Sequence, residues 1–192
     1  MEQSGREHKP VSRYLLHCLI VFLVVLLLCT VGFFTAMQIN EVSVLAEGAM
    51  TARENYVMQV GENLEEDFLG RFFTERMIET GQLDELRKAY DDYAISNYNA
   101  NLKQQSIWTI PGSNSATVKI KESIKNIPGS LKSPGENPDK ATKPPSWPNG
   151  VYTLKLVRRQ GVWLVNEIIL TEPEPTAVTT PTPEPIVTPA SQ

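Results

Sequence analysis

The chain has 192 residues, a net charge of -4 and 41% hydrophobic residues, which leaves room for one folded domain with appendages rather than two independent cores. Its only histidines and cysteines are His8, His17, Cys18 and Cys29, all near the amino terminus. Everything beyond them is therefore unable to build a disulfide, a thiolate nucleophile, a Ser-His-Asp triad or a histidine-based zinc site from one chain.

Leu15 to Met37, "LLHCLIVFLVVLLLCTVGFFTAM", contains no Asp, Glu, Lys or Arg. As a helix this run extends about 34 Å, against a bilayer hydrocarbon core of about 30 Å. It is longer than the apolar region of a cleaved signal peptide and ends without a good small-x-small site, so it reads as an uncleaved anchor over residues 14–38. Arg6, Lys9 and Arg13 precede it, whereas Glu41 and Glu47 follow with no basic residue until Arg53. This bias places residues 1–13 in the cytoplasm and everything after Gln38 outside it, as a single-pass protein of the cell membrane. Cys18 and Cys29 lie about 16 Å apart on nearly one helix face, too far to pair within a chain. They are lipid-facing or form a dimer contact. His17, one turn from the cytoplasmic edge, is expected to snorkel.

Residues 39–171 read as an extracytoplasmic α+β domain. Val42, Leu45, Ala49, Ala52, Tyr56, Val60, Leu64, Phe68 and Phe72 recur at helical spacing and predict a long amphipathic helix. Interruptions are expected at Gly70 or Thr80–Gly81. Leu83, Leu86, Tyr90 and Ala94 predict a second helix, ended by the Asn-rich "SNYNANL".

Period two follows. "SIWTI" predicts a short strand, and "ATVKIKESI" sets Ala116, Val118, Ile120 and Ile124 against Thr117, Lys119, Lys121 and Ser123, one face apolar and one basic. Residues 128–150 carry six prolines and predict a long loop that cannot be an interior strand. Trp147 within it is either an exposed contact or a lid folded back on the core. Val151 to Thr171 predicts a hairpin. With a two-residue Gln160-Gly161 turn, Arg158 faces Trp163, Leu156 faces Val165 and Tyr152 faces Ile169. Residues 172–192, rich in Pro and Thr, predict a disordered tail.

Charge divides along the chain. Glu41 to Ala100 holds thirteen acidic and five basic residues, and Asn101 to Thr171 four acidic and ten basic. Either a polarised partner surface or complementary layers within one domain accounts for this. No nucleic-acid motif or glycine-rich phosphate loop accompanies it.

Amphipathic helices followed by strands and a terminal "LVRRQGVWLVNEI" hairpin, with Gly161, Trp163, Val165 and Ile168, resemble the cone-shaped, cystatin-like fold of the nuclear transport factor 2-like superfamily over roughly Ala49 to Thr171. Behind a single anchor, the layout is similar to membrane-tethered members such as assembly components of type IV secretion and conjugation machines. The residues themselves give about four strands in an antiparallel sheet, fewer than the family pattern; the resemblance implies that this sheet curves around two helices, with a cavity that some members use for catalysis, some for binding and some not at all.

Carboxylates are the remaining candidates for chemistry. Glu122 and Glu167 each interrupt an apolar strand face, and a carboxyl in an apolar cavity has a raised pKa and serves as a general acid or base. Tyr152 offers a neighbouring hydroxyl, and Trp163 shares the face of Glu167. The bland alternative places each glutamate at a strand end or against a basic residue such as Arg158.

The expected function is a non-enzymatic interaction or assembly module tethered to a bacterial envelope, partnered by the bilayer and by another protein or a second copy of itself. No nucleic acid, cofactor, metal or named small molecule is expected. The rival is a small-ligand binder or minor acid/base enzyme whose cone cavity is lined by Glu122, Glu167, Tyr152 and Trp163.

Overall fold

The computed structural model describes residues 11–61, 66–133 and 141–175; the predicted cytoplasmic tail up to Pro10, the middle of the proline-rich loop and the Pro/Thr-rich tail beyond Pro175 lie outside the described residues. One helix dominates. α1 (Val11–Met58) has 48 residues and a length of about 72 Å. Its first part is long and apolar enough to cross a membrane and is not buried by the protein. The helix continues across residue 38 without interruption. From there Gln38, Val42, Ala46, Ala49, Met50, Arg53 and Val57 form a buried stripe at three- and four-residue spacing.

The periodicity that carried the predicted helix to Phe72 is overruled at Met58. Gln59 adopts a positive φ of 55° and the Val60 N–H donates back to the Asn55 carbonyl at 3.1 Å, a Schellman closure. Its left-handed residue is Gln rather than Gly, so the usual stop signal is missing from the sequence. Three short helices follow: α2 (Glu66–Leu69), α3 (Glu75–Glu79) and α4 (Gln82–Lys88). The Thr74 hydroxyl caps α3 by accepting from the Met77 N–H at 3.3 Å. The second predicted helix is thus confined to α4; Leu83 and Tyr90 are buried as expected, but Ala94 belongs to a strand.

Four antiparallel strands form the main sheet in the order β2-β3-β5-β6, with β2 (Ala100–Thr109), β3 (Ser115–Ile124), β5 (Gly150–Arg159) and β6 (Val162–Pro173). β1 (Tyr93–Ile95) pairs separately with β4 (Gly129–Leu131), so the predicted loop contributes a short strand, though none to the main sheet. β2 begins eight residues before Trp108, in the Asn-rich stretch expected to end a helix. β3 alternates as predicted, burying Ala116, Val118, Ile120, Glu122 and Ile124 against α1.

The β5–β6 turn has two residues, Gln160 (φ 51°) and Gly161 (φ 85°), and sets Arg158 opposite Trp163 and Leu156 opposite Val165, as expected. Beyond them a bulge at Asn166 shifts the register by one. Tyr152 consequently faces Leu170 instead of Ile169, and Ile168 turns inward. β6 also reaches Pro173, so Glu172 and Pro173 are strand residues and not the start of the tail. Pro173 is tolerated because β6 is an edge strand.

Gly150 begins β5 where the chain returns from the proline-rich loop. A Cβ there would press on the Glu172 carbonyl oxygen and lie 2.7 Å from Leu170 Cδ1. At Gly161 a Cβ would meet nothing within 4 Å. Replacing Gly161 by Ala is expected to cost about 1 kcal/mol through its left-handed backbone alone. Gly150→Ala should cost clearly more, because the β5–β6 backbone must part; urea unfolding of the two reconstituted variants compares them.

Candidate functional site

The inner face of β3 carries Glu122 and the buried stripe of α1 carries Arg53, and the fold brings them together. Arg53 Nη1 donates to both Glu122 carboxylate oxygens, at 3.2 and 3.0 Å. Glu122 is 0% exposed and Arg53 5%. Arg53 Nη2 donates to the Tyr152 hydroxyl at 3.3 Å, and that hydroxyl donates to the Pro148 carbonyl. The guanidinium lies between two aromatic rings, 5.0 Å from the centroid of Trp147 and 4.6 Å from that of Tyr152.

The proline-rich loop is therefore a built wall of the site. Trp147 is buried and is the lid rather than the exposed contact. Tyr90 packs on it at 5.7 Å and donates its hydroxyl to Ser146 O at 3.3 Å, while Tyr93 donates to Ala141 O at 3.0 Å. Asn149 completes the closure: its side chain accepts from the Ile124 N–H at 2.7 Å and donates to the Ile124 carbonyl at 3.0 Å.

Glu54 lies next to Arg53 on α1 and is 1% exposed, with Oε1 lacking a hydrogen-bond partner. Burial, followed by its hydrogen bond with Glu122 and that carboxylate's charge, pushes the Glu54 carboxyl up to about 9. It holds a proton at neutral pH. Burial disfavours the Arg53 charge, but Glu122 and Tyr152 outweigh it and the guanidinium is raised. Burial likewise raises the Tyr152, Tyr90 and Tyr98 hydroxyls, so they stay protonated.

Of the four residues picked from the sequence, only Glu122 and Tyr152 share this site. Glu167 does not point inward. The Asn166 bulge turns it to the outer face, where it pairs with Lys155 at 2.8 Å. Trp163 is buried opposite Arg158, whose guanidinium lies 5.8 Å from its centroid. Arg158 is six residues along β5 from Tyr152, about 20 Å away. Arg53 and Glu54 escaped selection, although Arg53 falls on the same stripe as Ala49 and Tyr56, a charge on an apolar helical face.

Chemically, the cluster is a charge pair plus one extra proton, sealed by aromatic rings. No substrate reaches these oxygens unless Trp147 and its loop move away. The open clefts lie elsewhere. One of them, about 1250 Å³, is lined by Arg71, Glu75, Glu79, Asp84 and Arg159 together with Phe73. Among the described residues, no group of His, Cys, Asp and Glu is arranged to hold a metal ion. No family model matches the chain, and neither a curated protein nor a solved structure shows significant similarity to it.

Two outcomes follow from the buried charges. Glu122→Ala strands the Arg53 guanidinium and should cost about 3–5 kcal/mol in urea unfolding. Arg53→Met combined with Glu122→Leu should cost much less than either single removal, because no charge is left stranded.

Between pH 4.5, the ordinary value for Glu54, and about 9, its folded value, the folded chain keeps a proton that the unfolded chain releases. Stability should fall as pH rises through that window. Glu54→Gln should flatten the slope and leave the variant more stable than wild type at its alkaline end, as read by thermal unfolding across pH.

Proposed function

We propose that this chain is a single-pass, membrane-anchored protein whose helix-and-sheet domain stands on the extracytoplasmic side of a bacterial cell membrane and serves as a non-enzymatic interaction or assembly module. The supporting observation is the unbroken α1. The same helix supplies an apolar run of membrane length and then the central buried stripe of the domain, with no loop between them. Exposed loops are where chains are cut, and here the junction is helical, with Gln38 already packed. The excess of Arg6, Lys9 and Arg13 before the run supports a cytoplasmic amino terminus.

An interaction role draws support from the cleft between the α2–α3 segment and the β5–β6 turn. It joins charges of both signs, Arg71 and Arg159 with Glu75 and Glu79, to apolar Phe73, Val162 and Leu164, a composition suited to a protein surface with an apolar centre and a polar rim. The helix-then-sheet order also fits a nuclear transport factor 2-like cone of the kind tethered in secretion and conjugation machines. The rival ligand-binding or enzymatic reading loses Glu167 to the outer face and finds Glu122 already neutralised by Arg53. Self-association through α1 has less to recommend it, since the stripe from Val42 to Val57 is already covered by the sheet.

In native membranes, the full chain should resist alkaline carbonate extraction, and protease added outside intact cells should remove the domain. A photo-crosslinker replacing Glu79 should give a discrete adduct with another envelope protein that one replacing Thr153, on the far face, does not. Release by carbonate, or protection from outside protease, would overturn the anchored, outward reading. Equal adducts or none at both positions would overturn the cleft as the contact.

A further inference from the structure

The end of the domain nearest the apolar run is formed by two hairpin tips gathered around the point where α1 enters. Gln38, one residue beyond the run, is clamped by the β2–β3 tip. Its amide nitrogen donates to Thr109 Oγ1 at 2.7 Å and to Ile110 O at 3.3 Å, and the Gly112 N–H donates to its Oε1 at 3.1 Å. Thr35, inside the run, is already half-buried among exposed neighbours. The β5–β6 tip lies at the same end: the Arg158 N–H donates to Asn114 O at 2.8 Å, and its guanidinium lies 3.7 Å from Glu41.

Isolated apolar side chains on a soluble surface need no explanation. Their distribution here does. Among the described residues beyond Met37, the large apolar side chains more than half exposed are Trp108 (67%), Val44 (65%), Val162 (57%) and Ile110 (55%). All four sit at this end. Trp108 and Ile110 flank Thr109, which holds Gln38; Val162 follows the β5–β6 turn beside exposed Arg159; and Val44 is six residues up α1 from Gln38, about 9 Å. An apolar run of about 34 Å against a core of about 30 Å sets Gln38, and with it the β2–β3 tip, at the headgroup boundary. Tryptophan is enriched at that depth, where its ring is partly apolar and its N–H wet.

We propose that the β2–β3 tip is a lipid-docking surface: Trp108 and Ile110 enter the interfacial layer of the same bilayer that α1 crosses. This inference rests on the anchored reading above. It adds that the domain is seated on the membrane, not held away on a stalk, so the tilt of α1 and the direction of the mixed-charge cleft are set together.

Trp108 is a direct reporter, because Trp147 and Trp163 are buried. The full chain is reconstituted into phospholipid vesicles containing lipids brominated in the upper part of the acyl chain, and its tryptophan emission is compared with that of Trp108→Phe. Trp108 lies outside the core, so the variant is expected to fold. Wild type should be strongly quenched by the brominated lipid, and the variant should lose most of that quenching. Aqueous iodide should quench wild type only weakly.

Equal bromine quenching of the two chains, with Trp108 open to iodide while the protein stays in the vesicles after alkaline carbonate, would overturn the docking and leave the anchor standing. Release of the protein by carbonate would overturn the anchor and the docking with it. Ile110→Asp supplies a second reading: it should shift Trp108 emission to the red in vesicles, and an unchanged spectrum would count against insertion of the tip.

Discussion

The buried pair in which Arg53 Nη1 donates to both Glu122 carboxylate oxygens is the constraint around which the domain is organised. An arginine on the buried stripe of a helix and a glutamate on the buried face of a strand are each costly alone, because neither charge keeps its water. Together they fix the rotation of α1 against β3. The remaining donors and ring faces then determine what must surround them: Tyr152 from β5, and Trp147 from the proline-rich loop. The proline-rich segment is held because it finishes this desolvated site, and Tyr90, Tyr93 and Asn149 tie it down.

A second polar clamp stands fifteen residues earlier on the same helix. Gln38 is bound by the β2–β3 tip, about 22 Å along α1 from Arg53. Between them the stripe is apolar and small, with Val42, Ala46, Ala49 and Met50. Gly48 allows Phe72 to approach, since a Cβ there would lie 2.9 Å from Phe72 Cε1. Apolar packing alone tolerates sliding and rotation; two hydrogen-bonded clamps do not. Because α1 is one uninterrupted helix, whatever holds the apolar run also orients the sheet, and the placement of the domain follows from the register of a single helix.

Bulges account for much of what the sequence pattern did not disclose. Strand alternation is read correctly along β3, where no bulge intervenes, and Glu122 is inward as that alternation requires. Along β6 the same reasoning fails beyond Val165. One additional residue, Asn166, exchanges the two faces and sends Glu167 to Lys155. Nothing local marks Asn166, since a bulge is a property of the pair of strands. The end of α1 was hidden for a similar reason, as its left-handed cap residue is a glutamine. Arg53 was more accessible: a lone charge on an otherwise apolar helical stripe, matched by a lone charge on an apolar strand face, is a pattern that a search for buried pairs would find.

By itself the sequence determined the apolar run and its flanking charges, the helix-then-strand order, the two-residue turn at Gln160-Gly161 and the absence of histidine and thiol chemistry after Cys29. These depend on composition, on periods of 3.6 and 2, and on the backbone preferences of a few residues, all of which act over short stretches of chain. Tertiary structure alone decided that the apolar run and the domain share one helix, that Trp147 closes over Arg53, that Glu122 is paired and that Glu167 is not beside it. Each of those joins residues far apart in the chain, or turns on a register that only the partner strand enforces. Desolvation of a charge is settled by everything packed around it, and no short stretch of sequence contains that information.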